Sequence, residues 1–379
     1  MKKQITDLNI GLLGGGQLGR MLLQKAIDWN LKISILDPSP EAPCAHLVEN
    51  FQSGNWKDFE TVYQFGKGKD LVTIEFEDVN SDALLKLEAE GVKVFPQPRV
   101  LKIIQDKGLQ KEFFVKHNIP TAPFTLVENS MDIAQSGIPY PFFQKLRTSG
   151  YDGYGVKKIS SDEDLLETFK EPSLIEEMAN LKKELSVIVS RNEKGETAAF
   201  PVVEMEFNQE SNMVQYLFAP ARIEEEVAIK ATAIALQVIN SLEMVGLLAV
   251  EMFYNKDGSI WVNEVAPRPH NSGHHTIEAN ICSQYEQHLR AILNLKPGNT
   301  IPLQLGAMVN LLGEKGFSGT PIYEGMKDVL AMDGVYVHLY GKATTKPFRK
   351  MGHVTVVGKD PEEVIANANY IFKTLKVKA

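Results

Sequence analysis

Two apolar runs, Ala249–Tyr254 and Ser259–Val265, flank the dipeptide Asp257-Gly258, and each run carries one acid, Glu251 or Glu264. Asp-Gly favours the two-residue turns that join antiparallel strands, which commits this part of the chain to a hairpin. With a two-residue loop the pairing runs Lys256 with Ser259, Phe253 with Val262 and Glu251 with Glu264. Two carboxylates then oppose each other across a ladder, where like charges repel, among Leu247, Leu248, Val250, Phe253, Val262 and Val265. A positive group between them relieves the repulsion. Mg2+ suits such a place, because it takes one or two carboxylates from a protein and completes its shell with water and substrate phosphate oxygens. The hairpin therefore predicts a nucleotide-phosphate site. Two plainer readings stand beside this one: glutamates that project into solvent, and a longer loop over Asn255–Ser259 that shifts the register. The next segment favours the site. Ala266-Pro267-Arg268-Pro269-His270-Asn271-Ser272-Gly273-His274-His275 gathers one Arg, three His, an Asn and a Ser, and its two prolines and glycine exclude a regular element.

At 379 residues the chain holds two or three domains, at about 100–200 residues each. Its 44% hydrophobic and 23% charged residues are those of a globular protein rather than a disordered or fibrous one. The most apolar stretch, Ala231–Phe253, is interrupted by Gln237, Asn240, Glu243 and Glu251, which excludes a membrane span. Met1-Lys2-Lys3 meets Asp7 before any signal-type apolar core, so a cytoplasmic protein is expected. Cys44 and Cys282 make neither a disulfide framework nor a thiolate metal site, and both are expected to be buried thiols. A net charge of −8 argues against non-specific nucleic-acid binding. Any anionic ligand needs a local basic cluster, and one is present: no acid lies between Asp333 and Asp360, whereas Lys342, Lys346, Arg349, Lys350 and Lys359 do, with His338 and His353. A tip over 341–352, between strands at Gly334–Tyr340 and His353–Val357, could clamp a phosphate; a solvated face is the alternative.

The chain opens with a strand, Asn9–Leu13, a glycine turn, Gly14-Gly15-Gly16-Gln17-Leu18-Gly19, a helix over Arg20–Trp29 and a strand, Lys32–Leu36, ending at Asp37. This βαβ start presents backbone amides to an anion, and Asp37 lies near the place of a ribose-binding acid, so an NAD-linked oxidoreductase is a rival reading. Leu71–Glu75 is a further strand, with Glu75-Phe76-Glu77 at its C-terminal end, where open α/β sheets bind ligands. Phe95-Pro96-Gln97-Pro98 marks a boundary before one long helical pattern, Val100–His117. Strands follow at Pro120–Val127 and Pro139–Leu146, then a glycine-rich loop, Arg147–Gly155, suited to folding over phosphates. Ser160 with Glu163 predicts a capped helix running to Phe169. Leu174–Met178 is a strand, Glu184–Ser190 pairs with Thr197–Met205, and Ile223–Val245 is a helix closed by Gly246. A second boundary falls at Leu295–Pro302. The domains read as 1–97, 98–298 with a mobile lobe over about 120–180, and a strand-rich 299–379.

Three motifs taken together, Gly14-Gly15-Gly16-Gln17-Leu18-Gly19-Arg20-Met21, Gly150-Tyr151-Asp152-Gly153 and Asn263-Glu264-Val265-Ala266-Pro267-Arg268-Pro269-His270-Asn271-Ser272-Gly273-His274, resemble the 5-(carboxyamino)imidazole ribonucleotide synthase family of ATP-grasp enzymes. The likeness covers essentially the whole chain in order. It implies an ATP-grasp architecture: an N-terminal Rossmann-like parallel sheet (α/β), a central domain of two α+β lobes, and a small strand-rich C-terminal domain. It implies carboxylation of the exocyclic amine of 5-aminoimidazole ribonucleotide with ATP, Mg2+ and bicarbonate, releasing ADP and phosphate. By the same likeness Lys107 and Lys145 hold ATP phosphates under the loop of Gly150 and Gly153; Glu176, Glu177 and the backbone of Met178-Ala179 meet the adenine, and Glu184 the ribose. Glu251 and Glu264 bind Mg2+, in agreement with the hairpin. Arg268, His270 and Asn271 form the bicarbonate pocket, Tyr151 and Asp152 meet the aminoimidazole, and Lys342 and Arg349 take its ribose phosphate, with Gln17, Leu18 and Glu75 nearby. The chain departs from the family pattern at Lys107, where Arg is expected, and at Tyr154, where Lys or Arg is usual; Lys157 or Lys158 could stand in for the latter.

Physically, bicarbonate is a poor electrophile, and phosphorylation by ATP to carboxyphosphate activates it. Lys145 and the glycine loop would cover the transferring group, Arg268 would pair with the small anion, and Asp152 would orient the amine and help remove its proton. Another ATP-grasp ligase, acting on biotin or glycinamide ribonucleotide, a silent nucleotide sensor and the NAD-linked enzyme are the competing readings. A homodimer is expected on general grounds.

Overall fold

The computed structural model describes residues 3–129, 132–133, 136–148, 155–208 and 213–379. Gly150, Tyr151, Asp152 and Gly153 lie outside the described residues.

The first sheet is parallel throughout, built from β1 (Asn9–Leu13), β2 (Lys32–Asp37), β3 (Phe51–Ser53), β4 (Leu71–Ile74) and β5 (Lys93–Phe95) in the order β3-β2-β1-β4-β5. Strands β1, β2 and β4 are buried along almost their whole length, as expected for parallel strands covered on both faces. The covering helices are α1 (Gln17–Asp28), α2 (Phe59–Gly66) and α3 (Ser81–Ala89). Strand order reverses between β1 and β4, so their C-terminal ends open the crevice where such sheets take ligands. Helix α1 starts at Gln17, three residues before the predicted Arg20, because Glu75 supplies acceptors for the first amides of the helix.

The single helix expected over Val100–His117 is two, α4 (Pro98–Ile104) and α5 (Lys107–Lys116). Asp106 divides them: its Oδ1 accepts from Gly108 N at 2.7 Å and Leu109 N at 3.2 Å, capping α5. The break sets Lys107 at the very start of α5. A four-stranded antiparallel sheet follows, with β6 (Phe124–Val127), β7 (Phe142–Leu146), β8 (Val156–Ile159) and β9 (Ser173–Glu177) in the order β6-β9-β7-β8. The predicted helix from Ser160 is only a 3-10 turn, Asp162–Glu167, and Asp164 rather than Glu163 accepts from the Ser160 and Ser161 amides.

The largest sheet runs β15-β14-β10-β12-β13-β16-β19-β18, with β11 beside β10. Its strands are β10 (Leu181–Arg191), β11 (Thr197–Ala199), β12 (Val203–Asn208), β13 (Met213–Ala219), β14 (Gly246–Asn255) and β15 (Ile260–Ala266), then β16 (Leu305–Leu312), β18 (Val335–Leu339) and β19 (Lys350–Gly358). The small β17 (Ile322–Glu324) pairs with β20 (Lys376–Lys378). Strands β16, β19 and β18 thus continue the central sheet through the β13–β16 ladder. Helix α6 (Glu225–Ser241) packs on β10, β14 and β15. It ends four residues before the predicted Val245, because Glu243 turns to φ +49 and Gly246 already opens β14. Helices α7 (Thr276–Ala279) and α8 (Gln284–Ile292) follow the polar loop, and α9 (Met326–Leu330) and α10 (Pro361–Thr374) close the chain. Cys44 and Cys282 are buried free thiols. No described helix is long and apolar enough to cross a membrane.

Candidate active site

The β14–β15 hairpin brings Glu251 and Glu264 directly opposite each other, by a route different from the predicted one. Asn255 N–H donates to Ser259 O at 2.9 Å, and Gly258 takes φ +85, so the loop has three residues with glycine in the left-handed region. The ladder then pairs Tyr254 with Ile260, Phe253 with Trp261 rather than Val262, and Met252 with Val262. Left unbroken, that alternation would turn Glu264 into the core with Ile260 and Val262, among the side chains that pack under α6. A bulge between Glu251 and Met252 makes Asn263 the extra residue, returns Val265 to the core and brings Glu264 opposite Glu251. Bulges re-aim side chains in this way beside active sites. Here the bulge avoids burying an unpaired carboxylate, which costs several kcal/mol.

Around the pair, two basic groups take one acid each. Lys107, at the start of α5, forms an ion pair with Glu264, and His270 Nε2 lies 3.3 Å from Glu251 Oε1. The electrostatics follow. Burial, then the charges of Glu264 and Glu184, raise the proton affinity of Glu251, whereas Lys107 lowers that of Glu264. Glu184 on β10 is pushed up to about 7 by burial. His270 is pulled down to about 3 by burial and then by the charges of Arg268 and Lys350, so its ring is neutral.

A second charged group lies beneath. Glu176 at the end of β9 is 2% exposed. It pairs with Lys145 of β7 and, at 2.8 Å, with Lys111 of α5. Lys145 also donates to Asn263 Oδ1 at 2.9 Å, which ties the small sheet to the bulge. The Glu176 carboxylate, expected at the adenine, is therefore an anchor for two lysines. Half-buried Met178 and Ala179 form the extended link from Glu177 to β10.

Arg268 turns one edge to Glu77, donating from Nη2 at 3.0 Å and from Nε to the other carboxylate oxygen. This lowers the Glu77 pKa against the effect of burial. Arg268 Nη1 donates to Pro269 O at 3.3 Å. Asn271 opens the 3-10 turn Asn271–Gly273.

The glycine amides of the turn are occupied, that of Gly14 by Leu36 O. Gly15 N donates to Asp37 at 2.7 Å, and Gly16 N (at 2.5 Å) and Gly19 N donate to Glu75. A side chain at Gly14, where φ is +106, would overlap Glu75, so glycine is required there. Asp37 is 5% exposed and also accepts from Ser39 N, so it is not free to hold a ribose, and the NAD reading fails. Burial raises the Glu75 pKa to about 7. Gln17 is half-buried at the start of α1. The Leu18 side chain packs in the core of the first sheet.

Lys342 donates to Lys350 O at 2.7 Å, and Arg349 to Thr344 O at 2.8 Å, across the base of the basic loop. Gly341 lies against Arg20 of α1, so the loop reaches the crevice of the first sheet. Lys111 has no signal in the sequence, Glu77 is marked only as part of the acidic end of β4, and Asn263 only as part of the third motif. Lys350 stands out only within the basic run, although the Lys350 charge acts on both Glu251 and His270.

Among the described residues no group of three or more His, Cys, Asp or Glu converges to hold a metal ion. The Glu251–Glu264 pair would thus leave most positions of a cation to water and phosphate, which fits Mg2+ and not a metal that requires a closed protein shell.

Three domain families match: a ribonucleotide synthetase preATP-grasp domain over residues 8–105, an ATP-grasp domain over 112–285, and a phosphoribosylaminoimidazole carboxylase C-terminal domain over 306–367. The crystal structure of N5-carboxyaminoimidazole ribonucleotide synthetase from Thermotoga maritima is similar at a TM-score of 0.90 and 43% identity, covering 98% of this chain and 99% of that one. The Aspergillus clavatus synthase in complex with ADP and 5-aminoimidazole ribonucleotide is similar at a TM-score of 0.89 and 31% identity, over 98% and 100% of the two chains. The chain is also 36% identical to the phosphoribosylaminoimidazole carboxylase of Ogataea methanolica, of whose length it spans 68%. With fold, order of domains and relatives in agreement, this chain belongs to the N5-carboxyaminoimidazole ribonucleotide synthase family of ATP-grasp enzymes.

Proposed function

We propose that this protein carboxylates the exocyclic amine of 5-aminoimidazole ribonucleotide with ATP and bicarbonate, releasing ADP and phosphate. The observation that carries this reading is the opposed pair Glu251 and Glu264 on one face of the hairpin, with Lys107 paired to Glu264 and the Lys145 charge acting on it. Glu251 and Glu264 would hold Mg2+, which when bound neutralises charge on the nucleotide phosphates. Lys107 and Lys145 hold the phosphates, the Met178-Ala179 backbone with Glu177 receives the adenine, and Glu184 receives the ribose. Arg268, His270 and Asn271 retain bicarbonate and the carboxyphosphate made from it by phosphoryl transfer; all three are half-buried. Tyr151 and Asp152 orient the attacking amine, and Asp152 takes its proton; wild-type turnover in Asp152→Asn would end that role. Lys342, Arg349, Gln17 and Glu75 receive the ribonucleotide. A symmetric dimer completes the reading, and sedimentation tests it.

The deciding assay is ADP formation with Mg2+ in the presence and absence of 5-aminoimidazole ribonucleotide and of bicarbonate. Stimulation that needs both is expected. Equal stimulation by biotin or glycinamide ribonucleotide would transfer the chain to another ATP-grasp acceptor class.

A further inference from the structure

His270 has a polar neighbour near each ring nitrogen. Nε2 lies 3.3 Å from Glu251 Oε1. Nδ1 lies 2.9 Å from Ser272 Oγ and 3.3 Å from Ser272 N. Ser272 Oγ lies in turn 2.8 Å from Ser186 Oγ. Ser186 sits on β10 directly opposite Glu251, and the two serines are 0% and 1% exposed. Hydroxyls so deeply buried are costly unless they are bonded.

The direction of the chain follows from its one unambiguous donor. A backbone N–H can only donate, so Nδ1 accepts from Ser272 N, and the ring proton resides on Nε2. The Ser272 hydroxyl then donates to Nδ1 and accepts from Ser186. Nε2–H then lies beside Glu251 Oε1, 3.3 Å away, and Oε2 of the same carboxylate is left for a cation. We propose that Ser186 and Ser272 are positioning residues, a buried donor relay that selects the Nε2–H tautomer of His270 and so holds Glu251 in place to bind metal. The inference rests on the reading of Glu251 as a metal ligand. Such outer groups orient ligands in metal sites generally, and their loss costs about 10- to 100-fold in affinity.

Two measurements test it. Two-bond 1H–15N correlation spectra of the metal-free wild-type protein, with His270 identified by its loss in His270→Gln, should show the Nε2–H pattern. Ser272→Ala should shift the Nδ1 resonance as its O–H donor is lost. Mn2+ titrated into the enzyme·ADP complex should bind about tenfold more weakly in Ser272→Ala, at the low end of the outer-group range, and less affected in Ser186→Ala. A wild-type Nδ1–H tautomer overturns the proposal. So does unchanged Mn2+ affinity in folded Ser272→Ala when Glu251→Gln weakens it. If Glu251→Gln itself leaves Mn2+ affinity unchanged, the metal reading of Glu251 falls, and the relay falls with it.

Discussion

Replacing Lys111 by Met removes one of the two cations that keep Glu176 ionised in a dry site. Burial alone would raise the proton affinity of Glu176; Lys145 and then Lys111 reverse this and bring its pKa from 4.5 to about 2. At 1.36 kcal/mol per unit that fall is worth about 3 kcal/mol, shared between the two lysines. Burial also lowers the Lys111 pKa, which offsets part of the gain in the pair. Its rupture nevertheless leaves a carboxylate short of countercharge, so a loss of about 2 kcal/mol at pH 7 is expected, below the 3–5 kcal/mol of a fully orphaned charge. The pH window follows from the depressed value: the ion pairs stabilise fully above 4.5 and lose their effect as pH falls towards 2. The variant should therefore lose stability at pH 7 and show a shallower acid limb. Lys145, left as the sole partner, is drawn closer to Glu176, and KM for ATP should rise. Urea unfolding at pH 7 and pH 4, with ATP kinetics, reads both effects. Lys111→Met/Glu176→Gln should recover most of the lost stability. A single variant within about 0.5 kcal/mol of wild type at pH 7, or a double variant less stable than the single, would refute the electrostatic account.

Glu251→Gln and Glu264→Gln should each lower ADP formation by about 100-fold or more with the fold retained by circular dichroism. Deleting Asn263 closes the bulge but leaves Glu264 opposite Glu251 and Val265 on the core side, so the variant should keep its fold and its Mg2+-dependent activity. Asn263→Ala loses only the Lys145 contact and should be mild as well; collapse of the fold in the deletion would contradict this account of the ladder. Buried His288, whose Nε2 lies 3.0 Å from Thr73 Oγ1, has its pKa lowered by burial from 6.5 to about 4. The unfolded chain takes up that proton below 6.5 and the folded chain does not until about 4, so stability is lost as pH falls across this window. The unfolding free-energy gap between wild type and His288→Gln should shrink by about 2 kcal/mol from pH 7 to pH 5, and a pH-independent gap would show that the folded imidazole is protonated.

What could be read from the chain was local. The glycine βαβ start and the opposed glutamates are patterns of spacing, and spacing survives folding because strand alternation and turn chemistry act within a few residues. Even there the outcome hid two departures that cancel: the loop is one residue longer than the Asp-Gly pattern predicts, and Asn263 is inserted into the partner strand. Periodicity could not foresee the insertion, since what selects it is the tertiary cost of sending Glu264 into the α6 core. The rest of the site is made by packing. Arg268 reaches Glu77 across 191 positions and Lys145 reaches Asn263 across 118. Nothing in the neighbourhood of Glu75 in the sequence says that its carboxylate will fill the glycine turn. Types and spacings of residues determined which charges this protein would have to bury. Only the tertiary structure decided which opposite charge or amide would meet each one, because at low dielectric a buried ion persists only where a partner from elsewhere in the chain is brought within bonding distance.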